Sequence, residues 1–307
     1  MKVFDAHCDV LFKLWKAKGE KDFQNDPKLH ITFEQLQQRK GSIQCFAIYV
    51  PETVPYEERF QVALTMIDLF YNKILSMPGI QFIQTKEDID RLLKHEIGAI
   101  LTLEGCEVIG NDMMKLRLFH RLGVRSVGLT WNYANLLADG ALETRRAGLT
   151  SFGKRVVQEL NTFRLWTDVS HLNEEGFWDM MEIAEYPIAS HSNCYKFCQH
   201  PRNLKDEQIR ALIQKNAVIG INFVPEFLVN HRPAYIDDIL RHIEHICSIG
   251  GEKNIGFGSD FDGITNMVVG IEAYRSYEQV INELCKRYSE TDVERFLYEN
   301  FVDRISF

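Results

Sequence analysis

The chain has 307 residues, 45% of them hydrophobic and 25% charged, an ordinary balance for a soluble globular protein. A net charge of −8 at pH 7, with no basic run or aromatic–basic stripe, excludes nucleic acid and acidic membrane surfaces as expected partners. The seven cysteines are odd in number and scattered, which suits reduced thiols in a cytosolic protein rather than a disulfide framework.

The first predicted strand spans residues 3–10, directly after Met1-Lys2. No charged region leads into an apolar stretch there, so no signal peptide is expected. No segment approaches the ~18 to 20 consecutive apolar residues of a membrane span. The expected location is cytoplasmic, with no membrane partner. Within the strand, His7 and Asp9 are two residues apart, and a period of two puts both side chains on one face. An imidazole and a carboxylate pointing the same way form half of a divalent-metal site. A long connection, 15–40, leads to the second strand, 42–50, and to a helical pattern over 56–75. Thr85-Lys86-Glu87-Asp88 is a capping box opening a helix over 86–95. The third strand, 99–104, ends in Leu103-Glu104-Gly105, and a helix over 113–122 leads to the fourth, 126–130. A second long connection, 131–148, precedes a helix over 151–163. Strand five, 166–171, ends in Asp168-Val169-Ser170-His171. After a helix over 173–184, strand six, 187–191, ends in His191. Cys194 and Cys198 lie four apart with no second thiol pair nearby, and read as ordinary thiols. A helix over 205–214, strand seven at 218–224, a helix over 235–248 and strand eight at 254–260 follow. The last strand runs into Gly258-Ser259-Asp260-Phe261-Asp262-Gly263, and Ser289-Glu290-Thr291-Asp292 caps the final helix.

Eight near-continuous apolar strands alternating with amphipathic helices predict a parallel sheet covered by helices. A count of eight favours an α/β fold closed into a (β/α)8 TIM barrel. No linker or shift in composition divides residues 1–307, so a single domain is expected. Barrel active sites sit at the C-terminal strand ends. The polar residues predicted there are His7, Asp9, Glu104, His171, His191 and Asp260. Three histidines and three carboxylates suit two divalent ions; the donor mix fits zinc and tolerates manganese or cobalt. Glu104 is the expected bridge, because strand three lies between strands one and five. His7 and Asp9 are assigned to one ion, His171 and His191 to the other. Asp168, three residues before His171, is expected behind the ligands rather than among them. The other seven histidines, His242 and His245 on one helix included, are assigned to the surface or to helix packing.

At these residues the chain resembles the membrane (renal) dipeptidase family, peptidase family M19. The resemblance runs from Asp5-Ala6-His7-Cys8-Asp9 to Tyr298-Glu299-Asn300-Phe301. Between them it includes Gly148-Leu149-Thr150-Ser151-Phe152-Gly153, Ser190-His191-Ser192-Asn193 and Pro201-Arg202-Asn203. It implies a TIM barrel of the metal-dependent hydrolase type that hydrolyses dipeptides. Two Zn2+ per chain would be held by His7, Asp9, Glu104, His171 and His191, the set already inferred. The resemblance gives Asp260 the proton-handling role beside a hydroxide that bridges the ions. It gives Arg202 the substrate's carboxylate, which a planar guanidinium can hold bidentately. It also implies acceptance of a D-residue at the C-terminal position, so that L-D dipeptides are expected substrates, and a homodimer.

One segment departs from the pattern. The family usually has a histidine in the loop after strand four, where this chain reads Leu129-Thr130-Trp131-Asn132-Tyr133-Ala134-Asn135. Anchoring on Asn135 puts Tyr133 in that slot, and a slip of one residue puts Asn132 there. Either can donate a hydrogen bond to a developing oxyanion, and neither carries a positive charge. Two other readings stand beside the dipeptidase. One is an amidohydrolase acting on cyclic amides, lactones or phosphoesters. Such sites usually open with H-x-H and often bridge with a carbamylated lysine, where this chain has Asp9 and Glu104. The other is a catalytically weak barrel that binds metal, a reading that the absent loop histidine favours.

Overall fold

The apolar runs of the sequence become short buried strands, and their polar ends collect at one mouth. The computed structural model describes residues 1–307. Nine strands form one parallel sheet: β1 (Phe4–Asp5), β2 (Ile43–Tyr49), β3 (Ile80–Phe82), β4 (Ile97–Glu104), β5 (Val124–Gly128), β6 (Trp166–Asp168), β7 (Pro187–Ile188), β8 (Ile219–Ile221) and β9 (Ile255–Phe257). The order along the sheet is β7-β6-β5-β4-β2-β1-β9-β8, with β3 paired to β4 off that path. A parallel bridge between Ala189 and Ile219 joins the two ends. The Gly220 N–H donates to the Ala189 carbonyl there at 2.7 Å. The eight strands of the path thereby close into a (β/α)8 TIM barrel.

All eight predicted strands have counterparts, and β3 is additional. It pairs with β4 from Ile80–Ile97 to Phe82–Ala99, while β5 takes over the same edge of β4 from Leu101 onward. Its three residues run buried, exposed and half-buried, too short a stretch to register as periodicity.

Strand β1 is shorter than expected, so His7 and Asp9 do not share a strand face. Cys8 makes one parallel bridge with Phe261, and Asp9 already precedes the helix Val10–Lys16, with φ −107° and ψ 25°. The helix begins so soon that the chain leaves the extended conformation within four residues of Asp5.

Helix starts follow the sequence closely. The Thr85 capping box forms as expected, and Thr150 and Asn173 accept the N–H groups of Gly153 and Gly176. The connection after the first helix folds onto the barrel, burying Phe23, Leu29 and Ile31. It is tied to the mouth by Asp262, whose carboxylate accepts the N–H groups of His30 and Ile31 at 2.9 and 3.1 Å. At the opposite end, Phe4 stacks on Phe301 with ring centroids 4.8 Å apart, and Trp166 packs beside them. All seven cysteines are unpaired. No helix is long and apolar enough to cross a membrane.

Candidate metal centre

The six candidate side chains come from the C-terminal ends of five strands or from the residues just past them. His7 and Asp9 follow β1, Glu104 ends β4, His171 follows β6, His191 follows β7 and Asp260 follows β9. The structure brings all six together. His7 Nε2 lies 3.3 Å from Asp9 Oδ2 and 3.7 Å from Glu104 Oε2. The other oxygen of Glu104, Oε1, lies 2.7 Å from His171 Nε2 and 3.5 Å from His191 Nε2. One oxygen of this carboxylate thus faces His7 and the other faces His171 and His191, while the His7 and His191 rings stack with centroids 3.8 Å apart. His7, Glu104 and His191 form one group of donor atoms within 4.8 Å of each other, and His7, Asp9 and Asp260 form another.

The donor atoms of the cluster crowd together and shift one another's charge states. His171 Nε2 and His191 Nε2 point at one another 2.9 Å apart. Burial, and then the charges of Arg202 and His7, hold both imidazoles far below their usual range. Burial also pushes His7 down, but the Glu104 and Asp9 carboxylates outweigh it and raise that imidazole to about 10. Glu104 is pushed well above the carboxylate range by burial, against the pull of His7. Asp260 rises to about 6, again through burial first. Two buried polar atoms, His7 Nε2 and Asp9 Oδ1, have no hydrogen-bond partner. Such groups cost stability unless something completes them. Imidazole nitrogens with carboxylate oxygens are a donor set that divalent zinc takes readily, so the residues present fit a metal centre.

The ligand candidates are held from behind. His171 Nδ1 lies 2.9 Å from Asn132 Oδ1. His191 Nδ1 lies 2.6 Å from Ser190 Oγ, and Ser190 in turn bonds Asp168. Asp168 also accepts from Ser170 Oγ at 2.6 Å, so it stands behind the cluster as its spacing predicts. Asn222 Nδ2 donates to Asp260 Oδ2 at 3.0 Å. Asp260 and Asp262 both adopt left-handed backbone, at φ 64° and 68°. Non-glycine residues there carry strain that commonly marks functional sites. Gly263 allows the approach: a Cβ at that position would collide with the carboxylates of Asp9 and Asp260.

A cavity of about 460 Å³ opens above the cluster, lined by Phe12, Tyr49, Trp131, Asn132, Arg202, Phe227 and Asp260 among others. Arg202 is buried, with Nη2 3.0 Å from His171 Nε2 and with Nε and Nη1 unpartnered. Burial lowers its guanidinium to about 10.

Tyr133 does not join this group. It is 45% exposed and stands away from the cavity wall, where Asn132 sits instead. The loop is pinned in that orientation. Trp131 N–H donates to the half-buried Glu107 at 3.0 Å, and Leu142 and Gly140 N–H groups donate to the carbonyls of Asn132 and Tyr133. Asn132, Ser190 and Asn222 were not identified as supports from sequence. Each is a common polar residue, and Asn132 and Asn222 meet partners 39 and 38 positions away, so no local spacing signals them.

A model of the family described as membrane dipeptidase (peptidase family M19) matches residues 1–305. Dipeptidase tcpJ of Claviceps purpurea is 29% identical over 323 aligned positions, covering 97% of this chain and 75% of the relative. A metallo peptidase from Rhodobacter sphaeroides, solved with a phosphinate mimic of the dipeptide L-Ala-D-Ala, superposes with a TM-score of 0.93 at 26% identity, covering 100% of this chain and 99% of that one. The M19 metallo peptidase called dipeptidase AC gives a TM-score of 0.92 at 28% identity, covering 99% and 97%.

Proposed function

The chain belongs to the membrane dipeptidase family, peptidase family M19, and we propose that it is a zinc-dependent dipeptidase whose substrates include L-D dipeptides. It is a hydrolase of the metallo-dipeptidase type. The observation that carries the finer reading is Glu104, whose two oxygens face His7 on one side and His171 with His191 on the other. His7, Asp9 and Glu104 would hold one ion, and Glu104, His171 and His191 the second. Bound there, two divalent cations would polarise the scissile carbonyl and make water more acidic.

The remaining chemistry falls to the chain's own side chains. Asp260, oriented by Asn222 at 3.0 Å, takes the proton of the attacking water and returns it to the departing amine. Arg202 receives the substrate's terminal carboxylate. Its two unpartnered buried nitrogens support that role, because a buried guanidinium is costly until an anion meets it. The contact with the developing oxyanion, expected of Tyr133 or Asn132, falls to Asn132. It lines the cavity, and its amide nitrogen makes no bond within the protein. Acceptance of a D-residue rests on the family resemblance and on the L-Ala-D-Ala mimic held by the Rhodobacter relative. The same reading carries a single barrel domain, a homodimer and a cytoplasmic location, which limited proteolysis, sedimentation and cell fractionation check in turn.

A dipeptide panel scanned over L and D residues at each position, beside dihydropyrimidines and lactones, tests the proposal. Hydrolysis of L-Ala-D-Ala-type dipeptides, lost with a chelator and restored by zinc, is the expected result. Turnover of the cyclic compounds by a metal-replete protein that leaves every dipeptide intact would overturn it.

A further inference from the structure

We propose that Asn132 is a positioning residue for His171, fixing the tautomer and the direction in which that imidazole presents Nε2. The inference rests on the metal-centre reading above and adds to it a residue outside the ligand set. The Asn132 carbonyl oxygen, 2.9 Å from His171 Nδ1, can only accept a hydrogen bond. A ring proton on Nδ1 meets that oxygen and leaves Nε2, which the Arg202 Nη2 donor approaches at 3.0 Å, with a lone pair for a cation held between it and Glu104. A ligating imidazole is oriented and made more basic by the group that takes its other N–H.

The surrounding loop is built to hold this pair. The backbone carbonyl of His171 accepts the Thr130 hydroxyl at 3.2 Å and the Ala141 N–H at 2.8 Å. The carbonyl of Asn132 accepts the Leu142 N–H at 2.8 Å, and Trp131 N–H is anchored on Glu107. One loop thus clamps both the backbone and the far ring nitrogen of His171. His191 has a different brace, the Ser190 hydroxyl backed by the Asp168 carboxylate. The two imidazoles that converge on Glu104 are therefore tuned separately, one by a charged relay and one by a neutral amide.

Zinc affinity of metal-stripped wild type, Asn132→Asp and Asn132→Leu, measured by competition with a chromogenic chelator, tests the proposal. Leucine matches the size of asparagine and removes the acceptor, so its affinity for one ion should fall roughly 10- to 100-fold. Aspartate keeps the acceptor and adds charge, so its affinity should equal or exceed that of wild type. Equal weakening in both variants, or an Asn132→Leu protein within about twofold of wild type, overturns the assignment. The nitrogen chemical shifts of His171 in zinc-loaded wild type give a second readout that needs no variant. A proton on Nδ1 supports the proposal, and a proton on Nε2 with Nδ1 bare overturns it. A wild type that takes up no zinc overturns the metal-centre reading itself, and that failure is seen before any variant is made.

Discussion

The two ends of the barrel use the same eight strands and close in opposite ways. At the N-terminal end Phe4, Ile43, Trp166, Ile188 and Val218 pack against Phe301 from the last helix, all of them buried. Trp166 satisfies its one donor on the Arg304 carbonyl at 2.9 Å. At the C-terminal end His7, Asp9, Glu104, His171, His191, Arg202 and Asp260 crowd together, and four of their buried polar atoms lack a partner. Apolar burial stabilises the first end by itself, at about 25 cal/mol per Å². Desolvated charge costs stability at the second until a cation and a substrate meet it. The molecule thereby keeps what holds it together away from what it reacts with.

Removing the ion should produce the largest effect. A chelator is expected to abolish dipeptide hydrolysis and leave the circular dichroism of the barrel intact; hydrolysis that survives exhaustive chelation would mean that the mouth works without an ion. Asp260→Asn comes next, lowering kcat by about 10² to 10⁴ with metal content unchanged. Unchanged turnover in that metal-replete variant removes the proton-transfer role. Phe301→Ala probes the other end. It should cost about 3 to 5 kcal/mol in stability by denaturant titration and leave kcat per folded molecule unaltered. A fall in kcat to match would show that the two ends are not separate.

The smallest effect concerns His242, on the helix Ile236–Ser248 that follows β8. Burial, the largest influence, holds its imidazole at about 4 against the ordinary 6.5, with Asp238 raising it and Arg241 and His245 lowering it. It accepts the Cys194 N–H at 2.9 Å and lies 3.0 Å from the Leu228 carbonyl. The unfolded chain binds a proton here that the folded chain does not. The contribution is therefore complete above pH 6.5 and is lost as pH falls through about 4. His242→Gln should flatten the pH dependence of stability over that window, by at most about 3 kcal/mol in total. An unchanged slope would assign acid sensitivity to the mouth instead.

The barrel was legible because its strands are apolar runs and its helices carry caps such as Thr85 and Asn173. The meeting of His7, Asp9, Glu104, His171, His191 and Asp260 was legible because strand ends in this fold share one mouth. Details set by long-range contact were not. Residues 3–10 read as one extended run, yet the strand ends at Asp5, a single bridge from Cys8 to Phe261 follows, and the helix begins at Val10. The choice between Asn132 and Tyr133 depends on how Glu107 and Leu142 pin the loop, and neither residue lies within the loop motif that was read. The braces Ser190 and Asn222 are visible only once the chain is folded.

Glu104 is proposed to join two ions in the mouth of this barrel. The most direct test is a zinc titration of metal-stripped protein, with bound metal counted by atomic emission and L-Ala-D-Ala hydrolysis followed in the same samples. Uptake should end at two ions per chain, and full hydrolysis should require both. Full hydrolysis with one ion or none, or a folded protein that retains no zinc, would contradict that role.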